Sequence, residues 1–525
     1  MKYLSSNNKK FNRTFTAKWL LLLCFCGAAL QSCKKLLDVD SSHAVAEKNM
    51  WNSHEDTRSA LIGVYGLTRA ALADNNAFWM YGELRKGDFA AVQRQDIDAV
   101  VSNNLHAPLD MLNELSNWRR FFAVVNAANL FLEHVGEVKA RDPRYSEQNM
   151  AVDIAQIRFL RAFAYFNMVR VWGDVPLITT SHDGEFTDQP RAPQGKVLAF
   201  IEQELQAAAD NLPYAYSAND PQQQGDYYAE GGDKWNGVLA RKLSAYALMA
   251  HVAAWQAKYS LVAAYTKFVL DNAQKSSLVF VKTDQLTSSN GFFSGRGSNN
   301  FINNHMIAFD FEFTNGEASY TGHLEELTLA APVVSKSQPE IYVPKDTILS
   351  LFDQNRDERF SLDSIRGEPT STRYFTSFDS HVPIFSKIKV ILDGGTSDPD
   401  FRMYGSAIIF TRLEDIALLR AEALAVLGEQ TGAIDLLNQI RDLRVMERYD
   451  AGKEGDLVNA IFRERRKELM GEGQRWFDQV RYHKLKRSDA TFNRLIDEGG
   501  IYWPVAENVL MQNKQLTQNI YWINR

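Results

Sequence analysis

The chain of 525 residues holds three cysteines and ten histidines. Cys24 and Cys26 fall inside an apolar run, so Cys33 is the one thiol beyond it. A single cysteine builds no disulfide framework and leaves no second thiol for a metal. The histidines are scattered, none at the i, i+4 spacing that places two metal ligands on one helical face. The motifs GxxxxGK[ST], GxSxG, HExxH and GxGxxG are absent. Carboxylates are plentiful, and any two could form a glycosidase pair, but no pattern marks one. Glu464 and Glu468 share a helical face, with Lys467 and Arg465 each three residues from one of them. Those four predict ion pairs within one helix at a structural corner. The expectation is a protein that is not an enzyme, with no catalytic residue, no cofactor and no metal.

Cys33 invites a different chemistry. Residues 1–32 carry five basic residues and no acidic one, followed by a run from Trp19 to Leu30. That run is too short to span a bilayer, which takes about 20 residues. It ends in Leu30-Gln31-Ser32-Cys33, which resembles a bacterial lipoprotein cleavage site, with Gln31 a relaxed fit. Residues 1–32 are expected to be a signal peptide. Cys33 is expected to be lipidated, several acyl chains anchoring the protein stably at about 0.8 kcal/mol per buried methylene. Residues 33–54 then form a tether. Its charged start, Lys34-Lys35 and Asp38, resembles surface-export signals and implies an outward-facing protein.

Beyond the tether, periodicity is mostly helical. With 45% hydrophobic and 23% charged residues, the composition is that of a globular protein. A net charge of −6 and no basic stripe argue against a nucleic-acid partner. Residues 55–72 and 118–135 predict helices, and residues 90–113 predict loop. Ala151 begins a helix that Gly173 stops and Pro176 follows with extended chain. Residues 240–272 and 413–444 each predict a helical hairpin with small residues at the crossing, among them Ala250, Ala254, Ala417 and Ala421. Their length, a little over 30 residues, is that of tetratricopeptide units. Between them, residues 275–405 lose helical periodicity and are rich in Gly, Ser, Asn and aromatics, as functional irregular segments are. Leu457 opens a last charged helix, broken at Gly471 and Gly473 and followed by a helix with Trp476, Phe477 and Val480 on one side.

Five ordered blocks carry a family resemblance. They are Leu30-Gln31-Ser32-Cys33; Trp118 with Asn126 and Asn129; RFLRAFAYFNMVRVWGDVPLIT at 158–179; ERRKEL followed by GEGQRWFDQVR at 464–481; and a closing segment from Ile501 to Tyr521. Together they resemble the SusD/RagB family of outer-membrane lipoproteins. The closing segment departs from the family pattern in lacking proline after Asn513 and Asn519. The resemblance implies a mainly α fold, with tetratricopeptide-like hairpins as a scaffold in a single domain, 55–525, and the insert 275–405 as candidate ligand region. It implies capture of a nutrient, most often an oligosaccharide or polysaccharide fragment. It also implies a SusC-like TonB-dependent transporter as partner in the outer membrane, with the lipoprotein as its lid.

Sugar binding needs flat aromatic faces for the apolar side of a ring, and amides or guanidinium groups for its hydroxyls. Two regions supply both types. One holds Trp79, Tyr81 and Arg85, then Asn103 and Asn104. The other holds Phe292, Phe293, Asn299, Asn300 and Tyr320. No contact carries over from the family residue by residue. Three other readings stand beside glycan capture. They are peptide import on the same scaffold, a surface glycoside hydrolase, and a protein that only docks to its transporter.

Overall fold

The computed structural model describes residues 50–182, 188–294, 302–312, 316–317, 319, 321–363, 365–392 and 403–523. Helices dominate, as the periodicity predicts. α1 (His54–Ala73), α2 (Arg119–Arg141), α3 (Glu147–Trp172) and α4 (Gln194–Asn211) precede two hairpins. The first hairpin is α5 (Lys242–Trp255) with α6 (Tyr259–Asn272). The second is α7 (Leu413–Val426) with α8 (Gln430–Leu443). α9 (Leu457–Glu468) and α10 (Arg475–Lys486) follow.

Each helix from α1 to α8 that follows in this series packs on its predecessor, and α9 packs on α7. α6 packs on α7 although 140 residues separate them. The insert therefore leaves the scaffold and returns to the same place. Small residues allow the close crossings. Ala250, Ala253 and Ala254 of α5 meet Val262 of α6 and Leu419 and Ala423 of α7 in one buried cluster. Gly428, at φ +86°, turns the second hairpin. α3 is buried almost all round from Ala155 onward, as a helix with neighbours on both sides must be. Asn126 and Asn129 of α2 hold the chain that leaves α3. Asn129 Nδ2 donates to the Thr180 carbonyl at 2.9 Å, and Asn126 Oδ1 accepts from the His182 N–H at 2.9 Å.

The insert is irregular but ordered by short pairings. Ile307–Phe309 pairs antiparallel with Ile408–Thr411, the strand that leads into α7. Ala90–Ala91 pairs with Ile341–Tyr342 and ties the insert to the first third of the chain. Residues 90–113 depart from the loop expectation. They carry two short helices, Gln95–Val101 and Asp110–Leu115, each too brief for periodicity to register.

The corner at α9 also differs from its prediction. Glu464 and Glu468 are fully buried and pair across the fold instead of along the helix. Arg359 reaches both, at 2.7 and 3.0 Å, while Arg441 adds to Glu464 and Arg444 to Glu468. Arg465 binds Asp415 and Asp478, both at 2.8 Å. A buried carboxylate needs a fully desolvated partner in close geometry, which a neighbour one turn away rarely offers. Among the described residues no helix is long and apolar enough to cross a membrane.

Candidate functional site

Five of the predicted ligand residues are core residues. Trp79 is 2% exposed and its Nε1 donates to the Gly471 carbonyl at 3.1 Å. The Tyr81 hydroxyl donates to the Leu115 carbonyl at 2.6 Å, and its ring meets Trp172 and Trp503 edge-on. Arg85 is fully buried, 4.1 Å over Trp476, and binds the carbonyls of Gly500 and Ile501. Its Nε donates to Asn103 Oδ1 at 2.8 Å, so that amide is committed too. Phe292 and Phe293 are buried edge-on against each other. None of these five can stack on a ligand. The physical reason is packing by segments distant in sequence: Trp79, Tyr81 and Arg85 are held by carbonyls of Gly471, Leu115, Gly500 and Ile501, and Phe292 packs edge-on against His305. Asn103 is half-buried and Asn104 exposed. Asn299, Asn300, Tyr320 and Cys33 lie outside the described residues.

The two sequence regions nevertheless converge, through other residues. α1 ends at Ala73, and Asp74-Asn75-Asn76 follows with two successive left-handed residues, φ +55° and +53°. Asparagine tolerates that conformation better than other residues with a Cβ. Gly322, at φ +79°, brings the insert against this end. A Cβ there would lie 3.2 Å from the Ala73 carbonyl oxygen. Between the two segments lies a cleft of about 490 Å³. Asn75, Asn76 and Met80 line one side, and Ser319, Thr321 and Glu326 the other, with Arg94 and Met111 contributing.

Its polar groups are arranged by neighbours. Asn76 Nδ2 and the Gly322 N–H both donate to Glu326 Oε2, each at 3.0 Å. Burial pushes the Glu326 carboxyl above its usual range, against the pull of the Asn76 hydrogen bond. Asn76 is only 7% exposed, and its Oδ1 has no hydrogen-bond partner among the described residues. The groups open to a ligand are the exposed Asn75 amide and Thr321 hydroxyl of the lining. Asp74 is held by Arg120, and Arg94 by Asp96 and Glu340. The wall thus offers amide, hydroxyl and paired charged groups over methionine and Phe311, a mixture that suits a polyol with an apolar face.

Two other constellations fit less well. His54, Glu55 and Asp142 bring ligand atoms within 4.8 Å of one another, a geometry open to a metal ion. Arg144 already binds Glu55 at 2.9 Å and Asp142 at 2.8 Å, supplying the cation. A concavity of about 370 Å³ beside α9 and α10 is lined by arginines. These are already paired: Arg463 with Asp353 at 2.9 Å, and Arg466 and Arg475 with Asp88.

Comparison with known proteins decides the family. A family model described as the SusD family matches residues 388–522. Another, described as starch-binding and associating with the outer membrane, matches residues 36–226. A SusD superfamily protein of Bacteroides thetaiotaomicron is 46% identical in its crystal structure. The match covers 90% of this chain and 99% of that one, with a TM-score of 0.82. The chain belongs to the SusD family. A SusD-like protein of Formosa agariphila is 27% identical over 98% of this chain and 99% of its own. A laminarin-binding SusD-like protein shares the fold, with a TM-score of 0.65, 22% identity, and 89% and 99% of the two chains covered. The mainly α SusD-like fold that the resemblance implies is thus the observed one.

Composition does not mark the cleft at Asn75 and Asn76. The signal available was Ala73-Asp74-Asn75-Asn76-Ala77, a polar break between a helix and an aromatic run. Asn-Asn in such a place marks left-handed backbone.

Proposed function

We propose that this SusD-family protein captures glycan at the outer membrane, the cleft at Asn75 and Asn76 holding the sugar. The observation that carries the reading is the cleft itself. Segments some 240 residues apart converge on it, and the exposed Asn75 amide and Thr321 hydroxyl lie in its lining. The matched description of a starch-binding protein associating with the outer membrane, and the laminarin-binding relative, support saccharide as the cargo class. Binding is by stacking on apolar groups and hydrogen bonding to fixed amides and charges, with no bond made or broken. Cys33 carries the lipid anchor in this reading, and a TonB-dependent transporter receives the cargo when the lid closes.

The test is calorimetric titration of the full chain in detergent with starch, laminarin and peptide pools, each mixture analysed for breakdown products. Saccharide binding without products, weakened at least tenfold by Asn75→Gly, is the expected result. Peptide binding alone would move the cargo class. Products would end the non-enzymatic reading, and no binding to any pool would overturn capture. Cys33→Ser tests the anchor: the variant is expected to leave the membrane fraction.

A further inference from the structure

The concavity of about 370 Å³ beside α9 and α10 shares no lining residue with the cleft at Asn75 and Asn76. α9 contributes Phe462, Arg463 and Arg466 to it, and α10 contributes Arg475, Asp478 and Tyr482. Every arginine here is paired, yet the cations outnumber the carboxylates that hold them. Asp88 accepts from both Arg466 and Arg475, with the bond from Arg475 Nε at 3.0 Å. Asp353 lies 2.9 Å from Arg463 and 3.6 Å from Lys467. Four cations therefore share two carboxylates, which leaves two positive charges in excess. Asp478 does not offset them. With Asp415 and Glu422 behind it, it is matched by Arg465, Arg481 and Arg170.

The arginines also keep donors in reserve. Arg475 hydrogen-bonds through Nε alone, and Arg466 through Nε and Nη2, both to Asp88. Arg475 Nη1 and Nη2 and Arg466 Nη1 thus make no hydrogen bond among the described residues, and none of the three is buried. Arg463 uses only Nη2, for Asp353 and the Ser350 carbonyl. Two guanidinium groups on one carboxylate repel each other. Burial lowers the Arg475 pKa, Asp88 opposes the fall, and the charge of Arg466 adds to it. Phe462 and Tyr482, with ring centroids 5.2 Å apart, give the same concavity an apolar wall.

We infer that this concavity is a second binding site, for a phosphate monoester. Its oxygens take the outer nitrogens of Arg463, Arg466 and Arg475, and its organic part lies on Phe462 and Tyr482. Guanidinium groups bind phosphate through short, charge-assisted bonds in a fixed fork. A phosphate monoester carries about two negative charges at neutral pH, which matches the excess, whereas a carboxylate or a sulfate ester carries one. The chemistry is the same whether the phosphate belongs to a soluble ester or to a lipid headgroup. The site does not depend on the glycan-capture reading.

The experiment titrates phenyl phosphate and phenyl sulfate into the full chain in nonionic detergent at about pH 7.5, where the phosphate is a dianion. Phenyl phosphate is expected to bind at least tenfold more tightly than phenyl sulfate. Arg475→Gln and Arg463→Gln are each expected to weaken it at least fivefold. A melting curve like that of the parent confirms that each variant folds, and Arg463, being exposed, serves if Arg475→Gln does not. Dioctanoyl phosphatidic acid is then used to displace phenyl phosphate. Displacement at lower concentration than phenyl phosphate itself supports the site with a lipid headgroup as its source, and displacement only at higher concentration supports it with a soluble ester. Equal affinity for phenyl phosphate and phenyl sulfate would overturn the assignment to a dianion. Unchanged affinity in the folded variants would overturn the site, as would binding of neither phosphate compound.

Discussion

Glu83 shows how one buried carboxyl can carry a conformation. It is fully buried, and its oxygens accept the N–H groups of Gly471 at 2.8 Å and Gly473 at 2.9 Å. Burial pushes its pKa up to about 8 from 4.5, outweighing the hydrogen bond from Gly471, and the charge of Asp88 adds to the rise. Between those two values the folded chain binds a proton that the unfolded chain has released. Glu83's contribution to stability is therefore complete below pH 4.5 and is lost as pH rises through about 8. Glu83→Gln removes the titration while keeping a carbonyl acceptor. Its melting temperature is expected to fall less than the parent's between pH 5 and pH 8, as thermal melts across that range would show. Glu83→Ala leaves two buried N–H groups unpaired, at about 1–3 kcal/mol each. Sequence offered no sign of this role, because Glu83 and the glycines it serves lie nearly 390 residues apart.

At the scale of the element, the glycines divide by what surrounds them. Gly473, at φ +70°, sits where a Cβ would come 2.5 Å from the Phe78 ring. Gly82 is tighter still, its Cβ position overlapping the Gly473 carbonyl oxygen. The turn after α9 and the segment after α1 thus pack backbone to backbone. Gly82→Ala must move one of them and is expected to lower stability by about 3 kcal/mol or more, an overpacking cost at the upper end of the usual range. Gly63 is the opposite case, an exposed glycine inside α1 with nothing within 4 Å of a Cβ. Gly63→Ala is expected to raise stability by roughly 0.5–1 kcal/mol through helix propensity. Melting temperatures of the two variants check both signs. The break at Gly471 and Gly473 was legible from composition, but which aromatic ring enforces it was not.

Across the whole molecule, the insert is fastened to the scaffold by buried charge. Arg359 binds Asp357, Glu464 and Glu468, all without exposure. Lys387, also in the insert, binds Glu472 at 2.5 Å, and Arg412 joins Glu468 and Glu472 from the start of α7. Arg359→Met leaves carboxylates uncompensated in the interior and is expected to cost about 3–5 kcal/mol, read as a lowered melting temperature. Acid should act on the same joint. Burial alone would raise the Glu468 pKa, but Arg444 and Arg412 outweigh it and hold the carboxyl well below the usual range. Its contribution is present above the ordinary glutamate pKa of 4.5 and is lost as pH falls through the depressed folded value. Limited proteolysis at decreasing pH is expected to cut the insert before the helical hairpins. Cleavage of both at the same pH would count against the fastening role.

Residue order along the chain was enough to determine the long helices, the two alanine-rich hairpins, the stop at Gly173 and the glycine break after α9. These depend on periodicity and backbone freedom within a few residues, which is information the local sequence holds. The family could be recognised for the same reason, from blocks read in order. Tertiary structure alone decided which aromatics face outward. Trp79, Tyr81, Phe292 and Phe293 have the composition of a sugar platform, yet each is enclosed by segments distant in sequence. It also decided that Glu464 and Glu468 pair with arginines from three other segments, at Arg359, at Arg412 and at the end of α8, and that Asn76 meets Glu326 across 250 residues. Burial and pairing depend on what lies opposite in space, and no local pattern encodes that.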